Sequence, residues 1–285
     1  VSAPIAAHRF RNDAIIAAAH FMSLFQQAAE AAMQHSHLFV ITGASRGMGA
    51  AIAAQLLQPG HTVLGISRRS DDRLGALATA AGATCEQWSA ELAAPAEVAK
   101  RLQDWLGAFD AQRFESASLI NNAAALTRVG HIDDCDDAEL ASALRVGLEA
   151  PLLLSAAFLR ATRGWRARKR VLNISSGLGR RAIAGQATYC AVKAGLDHFS
   201  RALALDEARH QNGAAVVSLA PGVIDTDMQV QLRGADAAGF PEKGFFVDLK
   251  EKGQLTSPEA AAARVLAYLN RGDFGSHVVA DVREA

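Results

Sequence analysis

Tyr189 and Lys193 stand four residues apart, one helical turn, so in a helix the phenol and the ammonium share a face. A lysine held there lowers the pKa of the phenol and makes it a usable proton donor near neutral pH. Ser176 precedes the tyrosine by thirteen residues. It closes Val171-Leu172-Asn173-Ile174-Ser175-Ser176, which reads as a buried strand ending in two hydroxyls. A strand end that meets the next helix is the carboxyl edge of a parallel sheet, where α/β proteins bind ligands. The tyrosine–lysine spacing alone is common on helix surfaces, and its weight comes from an earlier segment.

That segment is Thr42-Gly43-Ala44-Ser45-Arg46-Gly47-Met48-Gly49, directly after the apolar run His37 to Ile41 and before the helix-forming run Ala50 to Leu57. Strand, glycine-rich turn and helix are the context of a dinucleotide-binding fingerprint. The glycines allow a tight turn and close backbone approach to a pyrophosphate, which sits at the positive helix N-terminus. An ordinary strand-to-helix turn is the plainer reading, and the glycine spacing and both flanks argue against it.

Together with Asn121-Asn122-Ala123-Ala124 and Pro221-Gly222, these segments resemble the motif series of the classical short-chain dehydrogenases/reductases, from about Leu38 to Arg283. Within that family, Tyr189-Cys190-Ala191, the run Ala220 to Met228 and the run Leu249 to Leu255 are similar to sepiapterin reductases. They are more similar still to bacterial benzil (diketone) reductases. The resemblance implies an NADP-binding, Rossmann-type doubly wound α/β domain that moves a hydride to a carbonyl carbon. It implies that Tyr189 gives the proton, that Ser176 bonds the same oxygen, and that Lys193 holds the nicotinamide ribose. Gly43, Ser45, Arg46, Gly47, Met48 and Gly49 then bind the cofactor, with Ala123 and Asn121 beside its ribose. Pro221, Gly222 and Val223 follow, with Thr226 on the carboxamide or, more simply, as a helix N-cap.

Cofactor choice is read from the end of the second strand, where a carboxylate suits NAD and arginine suits NADP. Here stand Ser67, Arg68 and Arg69, with no carboxylate before Asp71, and Arg46 can reach the same phosphate. Arg68 and Arg69 otherwise merely solvate a loop. NADPH/NADP+ is the expected cofactor. Glu91 takes the place of the family's usual Asp near the adenine, with Leu92 as the apolar residue after it. The family also carries an asparagine in the helix before the serine strand, and here Gly147 stands at that position. Gly147 leaves open a catalytically weak NADP(H)-binding sensor.

The 285 residues are half apolar, enough for one sizeable core, and basic and acidic residues balance at 29 each. No net field attracts nucleic acid or an anionic membrane. Cys85, Cys135 and Cys190 have no paired or ligand-type spacing, and the histidines form no cluster, so a cytoplasmic protein without metal is expected. Residues 1–32 are expected to form an alanine-rich helical extension, with too many polar breaks for a membrane span, and residues 33–285 the reductase domain.

Apolar runs alternate with helical patterns, which signals βαβ units and a single doubly wound parallel sheet. Strands are predicted near 38–41, 62–66, 84–88, 118–121, 171–174, 215–219 and 277–280. Helices are predicted near 49–57, 73–81, 96–109, 138–163, 189–209 and 258–270. Gly222 to Ser257 reads as a long irregular lid. Its Phe240, Pro241, Phe245 and Phe246, with Leu178 and Met228, suggest a pocket for a flat ketone, or else loop residues packed on the domain body. A pterin substrate is the alternative. Its family anchor, an aspartate near the C-terminus, aligns with Val279, with Asp281 two residues on. Ala194, Leu196, Phe199, Ala202, Leu203 and Leu205 suggest a second apolar stripe on the Tyr189 helix, with Leu152, Leu153, Phe158 and Leu159 beside it, or else residues that all face the parent sheet. These predict a homodimer or homotetramer.

Overall fold

The computed structural model describes residues 36–284. The predicted N-terminal extension lies outside the described residues. Seven strands form one parallel sheet in the order β3-β2-β1-β4-β5-β6-β7. They are β1 (His37–Thr42), β2 (Thr62–Ser67), β3 (Thr84–Ser89), β4 (Ser116–Asn121), β5 (Arg168–Ile174), β6 (Ala215–Ala220) and β7 (Val279–Asp281). The order reverses between β1 and β4, which is the switch point where such sheets leave a crevice at the carboxyl ends of the strands.

Strand side chains alternate between two cores, one on each face. In β1, Leu38 and Val40 enter one core, and Phe39 and Ile41 the other. The first core is covered by α3 (Pro95–Gly107), through Val98, Leu102 and Leu106, and by α5 (Ala150–Thr162), through Leu154, Ala157 and Phe158. The second is covered by α1 (Gly47–Leu56), α2 (Asp72–Ala81) and α9 (Pro258–Leu269). The catalytic-motif helix α6 (Ala187–Glu207) lies with α5 on the first face, where Leu203 and Ala204 touch that core.

Two expectations need correction. The helix predicted over 138–163 is α4 (Asp137–Leu144) and α5 joined by a π-turn, Arg145–Glu149. The extra residue per turn falls at Gly147. Taken as one stretch, Asp137–Thr162 has the length and apolarity of a membrane span, and half of it is buried inside the protein, as a core helix is. The lid is not irregular either. It holds α7 (Asp227–Gly234) and α8 (Lys243–Glu251).

Candidate active site

The glycine turn is built by close backbone approach. Gly43 has φ +71°, and its N–H donates to the Ile66 carbonyl at 2.8 Å. A Cβ on Gly49 would lie 2.1 Å from the Gly43 oxygen and 2.5 Å from Asn122 Nδ2, so only glycine fits. Thr42 Oγ1 accepts from the Asn122 and Ala123 N–H groups, both at 3.0 Å, and Asn122 Nδ2 donates to the Thr42 carbonyl at 2.9 Å. These bonds tie the ends of β1 and β4 together at the switch point. The first turn of α1 has neither a side-chain cap nor an acidic residue, which leaves its N–H groups for an anion. Ser45 and Gly47 border this turn half-buried. Met48 is buried in the second core, so it can serve an anion through its backbone only.

At the end of β2, Ser67 Oγ donates to the Arg69 carbonyl and Ser89 Oγ to the Arg68 carbonyl, which leaves both guanidinium side chains exposed. Asp71, the first carboxylate here, is held by Arg73 at 2.7 Å. That guanidinium keeps its carboxyl below the usual aspartate range. The site therefore presents positive charge. Arg46 is ion-paired with Asp227 at the start of α7, a contact the sequence gave no sign of. Glu91 accepts from the Ala93 N–H and caps its own turn, and Leu92 is buried in the first core.

The Asn121 side chain is engaged inside the fold. Its Nδ2 donates to Asn173 Oδ1 at 2.8 Å, Asn173 Nδ2 donates to Ser200 Oγ at 2.9 Å, and Asn121 is 3% exposed. This amide braces β4, β5 and α6 from inside, which leaves the backbone of Asn121 for a ribose. Ala123 stands half-buried next to it.

Ser176, Tyr189 and Lys193 come together as their spacing predicts. Ser176 caps a short turn, Gly177–Gly179, by accepting from the Leu178 N–H at 3.2 Å, and its hydroxyl neighbours the Tyr189 phenol, whose charged form it favours. Lys193 Nζ lies 5.5 Å from the tyrosine ring centroid and donates to the Ile174 carbonyl at 2.7 Å. Burial sets both acidities. It pushes the Tyr189 phenol up to about 12, against the smaller pull of Ser176, and pushes Lys193 down to about 8. The expected lowering of the phenol by the lysine is thus not what this arrangement gives. Tyr189 is half-buried, and desolvation is the largest influence on its phenol. The neighbouring hydroxyl is otherwise engaged: Ser175 Oγ donates to Asp197 Oδ1.

Gly147 sits in the π-turn against this helix. A Cβ there would lie 2.5 Å from Val192 Cγ1, so valine occupies the volume an asparagine would need.

Pro221 is buried, and Gly222, at φ +85°, turns the chain into the lid. The Val223 carbonyl accepts from Thr256, which ties the two ends of the lid together. Thr226 starts α7 without a side-chain cap bond. Its methyl would lie 3.5 Å from a Cβ on Gly47, so the residue hangs over the glycine turn. Phe240 and Phe246 stack 5.5 Å apart in a small core with Leu232, which Met228, Ile183 and Val129 flank. These aromatic residues build the lid itself. Only Phe245, 51% exposed, is left open, and Pro241 is exposed beside them. Leu178, half-exposed next to Ser176, remains a candidate substrate contact. Asp281 is buried and bonded to Arg283, with Arg180 at 3.8 Å; the Arg283 guanidinium holds its carboxyl low. It is not open to a pterin.

A cavity of about 610 Å³ lined by His37, His61, Arg168 and Arg170 opens at the amino ends of the strands. Parallel sheets bind at their carboxyl ends, so the crevice over Tyr189 is the candidate site.

Similarity to known proteins agrees with this fold. Residues 37–237 match the family model described as short chain dehydrogenase. Over 235 residues the chain is 34% identical to a benzil reductase ((S)-benzoin forming) of Bacillus cereus, covering 82% of this chain and 94% of that protein. It is 31% identical over 255 residues to a sepiapterin reductase of Xenopus tropicalis, covering 85% and 95%. A metagenomic short-chain oxidoreductase solved in complex with NADP superposes with a TM-score of 0.65 at 26% identity, covering 87% and 96%.

Proposed function

The chain belongs to the short chain dehydrogenase family, and we propose that within it the protein is an NADPH-dependent reductase of a ketone or diketone carbonyl. The observation that carries this reading is the meeting of Ser176, Tyr189 and Lys193 at the carboxyl edge of the sheet, beside the glycine turn.

The residues present fit a dinucleotide carrying a 2′-phosphate. The uncapped first turn of α1, with Ser45 and Gly47, would hold the pyrophosphate. Arg46, Arg68 and Arg69 would hold the 2′-phosphate, and Lys193 and Thr226 the nicotinamide end, with Ala123, Gly222 and Val223 alongside. When bound, NADPH supplies the hydride. The protein's part is the proton. With the Ser176 hydroxyl beside the Tyr189 phenol, both would meet the carbonyl oxygen as it becomes an alkoxide. A phenol near 12 is still a stronger acid than an aliphatic alcohol, so proton transfer from Tyr189 to that alkoxide runs downhill. Lys193 then offsets the phenolate charge left behind.

The similarity to benzil reductases favours a diketone. A pterin is the second reading, favoured by the sepiapterin reductases, but the closed Asp281 speaks against it. The retained acid and ammonium speak against a sensor without turnover. We further propose a cytoplasmic homo-oligomer, supported by the exposed Leu205 (72%), Leu144 (44%) and Leu152 (36%) on α6, α4 and α5. Phe158 and Leu159 belong to the parent core instead. Oxidation of NADPH against a panel of benzil-like diketones, simple ketones and sepiapterin tests the substrate reading, and activity on sepiapterin alone would replace it.

A further inference from the structure

We propose that Asp197 is a positioning residue, a buried carboxylate that keeps the Lys193 ammonium charged and turns Ser175 away so that Ser176 alone meets the phenol. Nothing in the motif series assigns it. It stands one helical turn beyond Lys193, so Tyr189, Lys193 and Asp197 follow one another along a single face of α6.

Asp197 is 1% exposed. Its Oδ1 accepts from Ser175 Oγ on β5 at 2.5 Å and from Ser218 Oγ on β6 at 2.6 Å. Its Oδ2 is buried without a hydrogen-bond partner. Gly179 presses on that oxygen: a Cβ there would lie 2.7 Å from Oδ2 and 2.9 Å from the Lys193 carbonyl oxygen. Two neutral donors are weak compensation for a buried carboxylate, and such a group needs a nearby cation.

The surroundings leave one buried candidate. On α6 the titratable neighbours are Tyr189, Cys190, Lys193, His198 and Arg201, and the last two are exposed. Across the Gly177–Gly179 turn and on β7, Arg180 and Arg283 serve Asp281. Arg145 and Glu149 of the π-turn are exposed, and Glu207, further along α6, is held by Arg163. Lys193 in turn has a carbonyl for its hydrogen bond, and Asp197 is the charge that opposes its desolvation. Each buried ion is therefore the other's compensation, at a separation spanned by the helix turn. The strand end is fixed by the same carboxylate. With Ser175 Oγ drawn down to Oδ1, the next residue along the extended strand, Ser176, faces the opposite way, toward Tyr189.

The proposal rests on the reading of Tyr189 and Lys193 as the proton-delivering pair, and two measurements on Asp197→Asn test it. The first needs no cofactor: melting temperature against pH. Burial holds Lys193 near 8 in the folded protein, below its unfolded value, so the folded state binds fewer protons and stability rises as pH climbs above about 8. Without the Asp197 charge that rise should begin at lower pH. The second is kcat for carbonyl reduction, expected to fall roughly tenfold further at about pH 8 than at about pH 6.5, because the ammonium is lost sooner. If Asp197→Asn does not fold, Asp197→Leu combined with Ser175→Ala and Ser218→Ala removes the charge together with the donors it satisfied. Both shifts should persist in that variant. Melting and kcat profiles that keep the wild-type shape would overturn the proposal, even if every rate were uniformly lower. Tyr189→Phe run alongside separates the two levels. Near-wild-type reduction in that variant would overturn the catalytic reading itself.

Discussion

The floor of the site and the lid above it are held by opposite means. In the floor, Asn121, Asn173, Ser175, Asp197, Ser200 and Ser218 are each at most 3% exposed and bonded in two sets, Asn121–Asn173–Ser200 across β4, β5 and α6 and Ser175–Asp197–Ser218 across the end of β5, α6 and β6. In the lid, three buried apolar residues, Leu232, Phe240 and Phe246, make a satellite core, and exposed ion pairs tie it down: Arg46 to Asp227 and Lys250 to Asp225. A buried polar network specifies one arrangement, whereas exposed pairs are worth about 0–1 kcal/mol each and weaken in salt. The floor is thus built before substrate arrives, and the lid is the part free to open and close.

Four substitutions sharpen or break this contrast. Tyr189→Phe removes only the acid, so reduction should drop roughly 10²–10⁴-fold while NADPH binding, read by fluorescence, persists. Phe240→Ala empties the lid core and should cost the lid about 3–5 kcal/mol of local stability. Limited proteolysis should then cut within 222–257 while the melting of the sheet changes little. Equal loss of both would make lid and floor one cooperative unit. Gly147→Asn overpacks the floor against Val192, at a cost of about 1–3 kcal/mol seen in melting. An unchanged melting temperature would mean that the π-turn yields as readily as the lid. Asp227→Asn frees Arg46 and should strengthen NADPH binding by a few-fold or less, an effect that vanishes at high salt and in an Arg46→Ala background.

The same contrast decides what the sequence could convey. Strands and helices follow from alternation and from the 3.6-residue period, and all seven strands lie where the apolar runs predict them. The Ser176–Tyr189–Lys193 cluster follows from one strand end and one helical turn. Side-chain direction at strand ends did not follow. Asn121 is the register partner of Asn173, so the two amides face the same side and bond each other, a pairing visible only once β4 and β5 are aligned. The Gly147–Val192 fit joins two helices and leaves no local pattern. The lid looked structureless because its helices are only eight and nine residues long and close on each other rather than on the sheet. Asp197 did carry a signal, its one-turn spacing from Lys193, but a carboxylate at that spacing usually means a solvated surface pair.

The central claim is NADPH-driven carbonyl reduction through Tyr189, and its most direct test is wild-type cofactor oxidation with benzil, in parallel with NADPH and with NADH. Arg46, Arg68 and Arg69 at the phosphate end predict turnover with NADPH well above that with NADH, and none of it in Tyr189→Phe above the uncatalysed background. Faster turnover with NADH, or a rate that survives loss of the phenol, would contradict it.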